Sequence, residues 1–313
     1  MSAQSSASEN SLQYGVAFIG TGIMGAPMAL RLLRAGLLRT YWNRHANRAS
    51  ALIAEGATTA ATPAAAADGA RLICLCLTDG AAVRDVMFGP DGCINGCDSE
   101  APPLIVDFST SSPVETRQLA GEYHTRVNGR WLDSPVSGGA ARAALGDLIV
   151  FCGGEPRDFE AAEPVMRVVS SRATLVGALG AGQTIKLCAQ LIAAPTIVVI
   201  AEAIAAAAAN GVDSRKIADF LAGGLADSPL LQLFGRRMAL GQFEPRLGAL
   251  ATMLKDIDLA VEMARRAGSP TPLGSLAAQM YRVLVNQGRG GDELNTLLEL
   301  FDGSAYQQRR LEP

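Results

Sequence analysis

The sequence predicts a doubly wound, mainly parallel α/β sheet followed by an all-helical domain, the two joined by one long helix. Three observations predict it. Over residues 14–176, short β-rich apolar runs alternate with helical stretches, the order that builds a parallel sheet covered by helices on both faces. Beyond residue 182 only helical patterns follow. Between the halves lies the run 184–210, long and apolar, which opens after a glycine-rich turn.

Taken in order, strands are expected at 14–20, 40–43, 72–77, 104–108, 130–133, 148–152 and 173–176. Several are near-continuous apolar runs, as required of strands buried on both faces. Helical spacing marks 24–35, 46–55, 81–87, 113–123 and 156–168 between them. In the second half helices are expected at 184–210, 214–222, 229–239, 247–267, 272–286 and 293–301, several closing on stop signals at Asn210-Gly211, Gly241, Gly268 and Gly288. Residues 1–13, rich in Ser, Ala and Asn, read as a flexible tail without a signal-peptide pattern. The expected organisation is therefore a tail at 1–13, a sheet domain at 14–177 and a helical domain at 178–313.

Composition narrows the function classes. At 49% hydrophobic and 18% charged residues the chain is globular rather than disordered. A net charge of −3 with no basic block argues against nucleic acid or an anionic membrane as partner. The run 187–209 is apolar enough to mimic a membrane span, but it carries Gln190, Pro195 and Glu202 and is rich in small alanines. It reads as a helix buried between domains or subunits. Six cysteines are accompanied by two histidines, and the pair Cys93 and Cys97 lacks a second pair of ligands. They read as thiols in a reducing cytoplasm, and no metal is expected.

Gly20-Thr21-Gly22-Ile23-Met24-Gly25 follows an apolar strand and opens an amphipathic helix. In that context the pattern seats a dinucleotide on a Rossmann-type domain. The first glycine allows the tight turn, the second lets backbone approach the pyrophosphate, and the third lets helix and strand pack closely. The helix N-terminus then offers N–H groups to the phosphates. The second strand ends at Asn43-Arg44 rather than at the carboxylate that would accept the ribose hydroxyl of NAD. A carboxylate repels a 2′-phosphate and a guanidinium binds it in a fork, so NADP(H) is expected over NAD(H).

Hydride transfer to or from an alcohol carbon needs a partner that takes or gives the hydroxyl proton and a means of pinning the substrate. Lys186, within Gly177-Ala178-Leu179-Gly180-Ala181-Gly182-Gln183-Thr184-Ile185-Lys186, stands near the start of the long helix at the domain boundary, where clefts form. Burial disfavours an ammonium and brings lysine proton exchange toward neutrality. A surface lysine near a helix start is the alternative reading. Asp133-Ser134-Pro135-Val136-Ser137-Gly138-Gly139 supplies a hydroxyl and two unobstructed backbone N–H groups, suited to a small carboxylate; it is also a common loop composition.

These segments, together with Asp107-Phe108-Ser109-Thr110-Ser111-Ser112-Pro113 and Lys255-Asp256-Ile257-Asp258-Leu259-Ala260, occur in the order of the β-hydroxyacid dehydrogenase family, which the chain resembles from residue 14 to about residue 303. That family includes 3-hydroxyisobutyrate dehydrogenases, 2-hydroxy-3-oxopropionate reductases and glyoxylate/succinic semialdehyde reductases. The resemblance implies that Lys186 is the acid/base and that Ser137, Gly138 and Gly139 bind the substrate carboxylate. It implies that Gly20, Gly22, Ile23, Met24, Gly25, Asn43, Arg44, Leu77, Thr78 and Thr110 line the cofactor, with Lys255 closing over cofactor and substrate. It also implies self-association through the helical domain, as a dimer or tetramer. One departure stands out. The family carries Asn four residues after the lysine, and this chain has Gln190. A residue at i+4 shares the lysine's helix face, so Gln190 is expected to touch the substrate and to alter its identity. Two rival readings are an imine reductase, whose members share the Asn-Arg signature and lack this lysine and Ser-Gly-Gly turn, and a non-catalytic NADP(H)-binding scaffold.

Overall fold

The computed structural model describes residues 15–45 and 49–301. The chain divides into two compact units after Lys186, within the long helix. In the first unit one sheet is built from β1 (Val16–Ile19), β2 (Leu38–Trp42), β3 (Leu72–Leu75), β4 (Leu104–Asp107), β5 (Arg130–Asp133), β6 (Val136–Ser137), β7 (Leu148–Gly153) and β8 (Ser170–Gly177). The order is β2-β1-β3-β4-β5-β7-β6, with β8 also paired to β7. Strands β1 to β5 are parallel. Strand β7 runs antiparallel to β5 and β6 and parallel to β8.

The apolar runs have a direct structural cause. Val16 and Phe18 of β1 enter one core cluster, while Ala17 and Ile19 enter another. Leu72 and Cys74 of β3 divide in the same way from Ile73 and Leu75. Successive side chains point to opposite faces of a strand, so a sheet buried on both faces leaves no polar alternation to see.

Helices cover the sheet: α1 (Gly25–Arg34), α2 (Ser50–Ala54), α3 (Pro63–Ala67), α4 (Gly80–Phe88), α5 (Pro113–Val127), α6 (Gly139–Leu145) and α7 (Pro156–Val169). Their ends carry local signals. Asp79 Oδ1 accepts from Ala82 N at 2.8 Å to start α4, and Ser112 Oγ accepts from Glu115 N at 3.0 Å to start α5. Asn128 ends α5 in the left-handed region, φ 55°.

Helix α8 (Ala181–Ala209) continues into the second unit, where α9 (Ile217–Phe220), α10 (Arg236–Ala239), α11 (Leu250–Arg266) and α12 (Pro272–Leu284) follow. Ile197, Val198, Ala201 and Ile204 of α8 pack with Phe234, Leu254, Ile257, Tyr281 and Leu284. The Tyr281 hydroxyl donates to Ala194 O at 3.1 Å. Extended pairing among the described residues of this unit is confined to an isolated bridge between Ala249 and Glu293.

Several boundaries differ from the sequence expectation. Strand β6 and helices α3 and α6 were not expected: two residues, a five-residue Ala-rich turn and a seven-residue Gly/Ala segment carry no readable period. The expected helix at 46–55 is observed as α2, with 46–48 outside the described residues. The segment expected at 214–222 splits into a 3-10 turn and α9. That at 229–239 becomes a π turn, Leu231–Gly235, leading into α10, and that at 293–301 is a 3-10 segment, Leu294–Leu300. Helix α8 starts at Ala181 rather than 184, for a reason that lies in the site itself.

Candidate active site

Residues that follow parallel strands gather at the carboxyl edge of the sheet. Gly20 to Met24 link β1 to α1, Asn43 and Arg44 follow β2, Leu77 and Thr78 follow β3, and Thr110 follows β4. Strand β1 lies between β2 and β3, so the chain reverses its direction of winding there, and ligands of such sheets bind outside the strand ends at that switch.

The glycine motif is shaped by close approach. A side chain at Gly25 would collide with the Gly20 carbonyl, and one at Gly20 with the Cys76 carbonyl. In front of Gly22 a Cβ would meet nothing within 4 Å, which leaves its backbone open to a phosphate. Thr21 N donates to Asn43 Oδ1 at 3.2 Å, and Asn43 Nδ2 donates to His45 O at 2.7 Å. Asn43 therefore fastens the loop after β2 to the glycine turn. Arg44 pairs with Asp85 at 3.0 Å on the surface. Ile23 is 68% exposed and presents an apolar surface at the same turn. These residues fit an NAD(P) cofactor: Gly20 to Gly25 are the ones that would hold a pyrophosphate, and Asn43 and Arg44 those that would meet an adenosine ribose.

The start of α8 is fastened to the same edge. Asp133, the last residue of β5, accepts from Gly180 N at 2.6 Å and from Gln183 N at 2.8 Å. Two amides that a helix start leaves unpaired are thereby satisfied, which is why the helix begins at Ala181. Gln183 extends the attachment. Its Nε2 donates to Ser109 O at 2.8 Å and its Oε1 accepts from Ser111 N at 3.2 Å, bracketing Thr110. Ser109 Oγ in turn accepts from Leu77 N at 2.9 Å. The loops bearing Leu77, Thr78 and Thr110 and the helix bearing Lys186 thus form one bonded network. Lys186 is half-buried, one turn beyond Gln183.

Ser137 ends β6 and pairs in register with Ile149 of β7. Gly138 and Gly139 both take positive φ, 138° and 73°, a backbone that only glycine adopts freely. What looked like loop in sequence is a strand end turning into α6.

Gln190 and Lys255 belong to the second unit. Gln190 Nε2 donates to Asp256 Oδ2 at 2.6 Å, and Lys255 Nζ lies 2.8 Å from Asp256 Oδ1. Lys255 is thus seen in an ion pair with its neighbour.

Asp133, Ser109 and Gln183 all stand within the sequence motifs, where none of them was given a role. The available signal was polarity out of place: Gln183 is fully buried at the head of an apolar helix. Buried carboxyls stand at the ends of the adjacent strands β4 and β5, Asp107 in register with Asp133. Burial pushes Asp107 up to about 7 and Asp133 up to about 6.

Residues 15–177 match the family model described as the NAD binding domain of 6-phosphogluconate dehydrogenase, and 180–301 that described as NAD-binding of NADP-dependent 3-hydroxyisobutyrate dehydrogenase. The chain is 33% identical over 278 residues to the 2-hydroxy-3-oxopropionate reductase of Escherichia coli, covering 89% of this chain and 93% of that one. It is 32% identical over 294 residues to the NAD-dependent L-serine dehydrogenase of Pseudomonas aeruginosa, covering 92% and 97%. The solved structure of 3-hydroxyisobutyrate dehydrogenase from Salmonella typhimurium superimposes with a TM-score of 0.82 at 29% identity, over 91% of this chain and 99% of that one. With two family models meeting at the head of α8 and relatives alike along nearly their whole length, the chain belongs to the β-hydroxyacid dehydrogenase family and is an NAD(P)-dependent hydroxyacid dehydrogenase/reductase.

Proposed function

We propose that the enzyme interconverts a small β-hydroxy acid and its semialdehyde with NADP(H) in preference to NAD(H), using Lys186 as acid/base. The observation that carries this reading is the Gln183 bracket, which ties the lysine-bearing helix to Ser109 and Ser111 on either side of Thr110. An NAD(P) cofactor held by the Gly20 to Gly25 turn with Asn43 and Arg44 would supply or accept the hydride. Lys186 gives a proton to the aldehyde oxygen as it gains charge and takes it back in the oxidation direction. The Ser137 hydroxyl and the amides of Gly138 and Gly139 hold the substrate carboxylate, so that the reacting carbon is presented in one orientation. The carboxylate of 2-hydroxy-3-oxopropionate, for which the Escherichia coli relative is named, suits such a grip.

Support for NADP(H) comes from the absence of a carboxylate at Asn43-Arg44 and from a guanidinium that is paired only at the surface. We place the enzyme in a reducing, cytoplasmic setting, in keeping with six free cysteines, and propose that a second copy of the chain packs on its helical unit.

A panel of C2–C4 semialdehydes and hydroxy acids, followed at the NADPH absorbance band, tests the reading. A positioned proton donor contributes about 10²- to 10⁴-fold in rate. Lys186→Ala is expected to lose that much turnover while binding NADPH with unchanged affinity by fluorescence titration. Near-wild-type turnover in the variant refutes the role given to Lys186, and NADPH binding with no turnover of any substrate by the wild type refutes the activity.

A further inference from the structure

Gln190 replaces the asparagine that the family carries, and the helical unit shows what holds it. Its amide nitrogen faces two acceptors, Asp256 Oδ2 at 2.6 Å and Met253 Sδ at 3.7 Å. A carboxylate and a thioether accept and do not donate, so they decide which way the amide points. The carboxylate is itself held, because Lys255 Nζ sits 2.8 Å from its other oxygen. Gln190 and Asp256 are both buried, where an amide turned the wrong way would set its carbonyl against a carboxylate. With Nε2 committed, the group that Gln190 retains for a ligand is Oε1, an acceptor only. An asparagine, one methylene shorter, carries its amide closer to the helix axis and reaches less far toward Asp256.

We propose that Asp256 is a positioning residue that presents Gln190 as a hydrogen-bond acceptor, and that the enzyme therefore selects three-carbon acids bearing a hydroxyl or amino group on the carbon next to the reacting one over those bearing a methyl there. This rests on the reading of Gln190, one helical turn beyond Lys186, as a substrate contact. A hydroxyl or ammonium donates to Oε1; a methyl cannot, and leaves a buried acceptor unpaired.

The test compares kcat/KM for 2-hydroxy-3-oxopropionate and 2-methyl-3-oxopropionate, matched in length and charge. The wild type is expected to favour the hydroxyl-bearing substrate about tenfold or more. Gln190→Met, close in shape and without the acceptor, is expected to remove most of that preference. Asp256→Asn, which lets the amide turn either way, is expected to lower it about tenfold, mainly through KM of the hydroxyl-bearing substrate, and Asp256→Glu to restore part of it. Thermal melts of each variant show whether the fold is retained, and the ratio of two substrates on one variant is insensitive to loss of active protein. Equal efficiencies in the wild type, or a preference unchanged in Gln190→Met and Asp256→Asn, overturn the inference alone. Turnover of neither substrate by the wild type overturns the reading on which it rests.

Discussion

Asn43 and Arg44 show how much one pair of side chains can decide. Asn43 spends its amide on Thr21 N and His45 O, so the position reserved for a ribose-binding carboxylate is occupied by a neutral brace. Arg44 is tied to Asp85, yet the two side chains are 62% and 64% exposed. Such an exposed ion pair contributes about 0–1 kcal/mol, so exchanging Asp85 for a ribose 2′-phosphate costs little, and the phosphate offers a doubly charged, forked partner. Arg44→Ala is expected to lower the ratio of kcat/KM for NADPH to that for NADH about tenfold or more, most of it in KM for NADPH. An unchanged ratio, or a wild type that favours NADH, removes the support for NADP(H). Both residues were legible in sequence, because a position just past the second strand of a glycine-motif unit is defined by chain order. The bracing role of Asn43 was not, since Thr21 lies 22 residues away.

At the scale of elements, the ends of β4 and β5 hold two buried carboxyls side by side, and they differ in partners. Asp133 accepts the two amides at the head of α8. Asp107 accepts from Ser109 N at 2.9 Å through one oxygen, while its other oxygen is buried without a hydrogen-bond partner. Burial raises Asp107 to about 7 and Asp133 to about 6, against roughly 4 in an unfolded chain. Between those values the folded chain binds more protons than the unfolded one, so these groups make stability fall as pH rises from about 4 to about 7. Asp107→Asn keeps the acceptor for Ser109 N and removes the buried charge. Thermal melts are expected to show it more stable than the wild type at pH 8, with a smaller gap between pH 5 and pH 8. Lower stability at pH 8, or an undiminished gap, contradicts this account. Strands β1, β3 and β4 were readable because double-sided burial imposes a run of apolar residues. The two-residue β6 was not, because its pairing with β7 comes from contacts along the sheet rather than from any local period. The 3-10 and π turns of the second unit were equally hidden: helical spacing reports which face is apolar, not which carbonyl each N–H reaches.

For the whole molecule, the helical unit leaves large apolar side chains in water. Ile192 and Val199 on α8 are 69% and 58% exposed, and Leu273, Leu276 and Val283 on α12 are 71%, 56% and 45% exposed. Spacings of seven on α8 and of three and seven on α12 place each set along one stripe of its helix. Exposed apolar stripes of this kind are suited to an interface, and a second copy of the chain is the proposed cover. Light scattering on a sizing column is expected to show a dimer or tetramer at micromolar concentration, and the pair Ile192→Lys with Val199→Lys to shift it toward monomer. A wild type that elutes as a monomer rules the proposal out. The sequence by itself determined the layering of the sheet, the glycine turn, the switch to helices and the lysine at the head of the long helix. Each of these is written in spacings of two, three or four residues, or in glycines whose tight backbone geometry excludes a side chain. The tertiary structure alone decided which polar groups meet: Asp133 with the head of α8, Gln183 with the loop around Thr110, and Asp256 with Gln190. Those partners lie 47 to 74 residues apart, and a hydrogen bond across such a separation leaves no periodic trace, because it is satisfied only once the chain has folded around it.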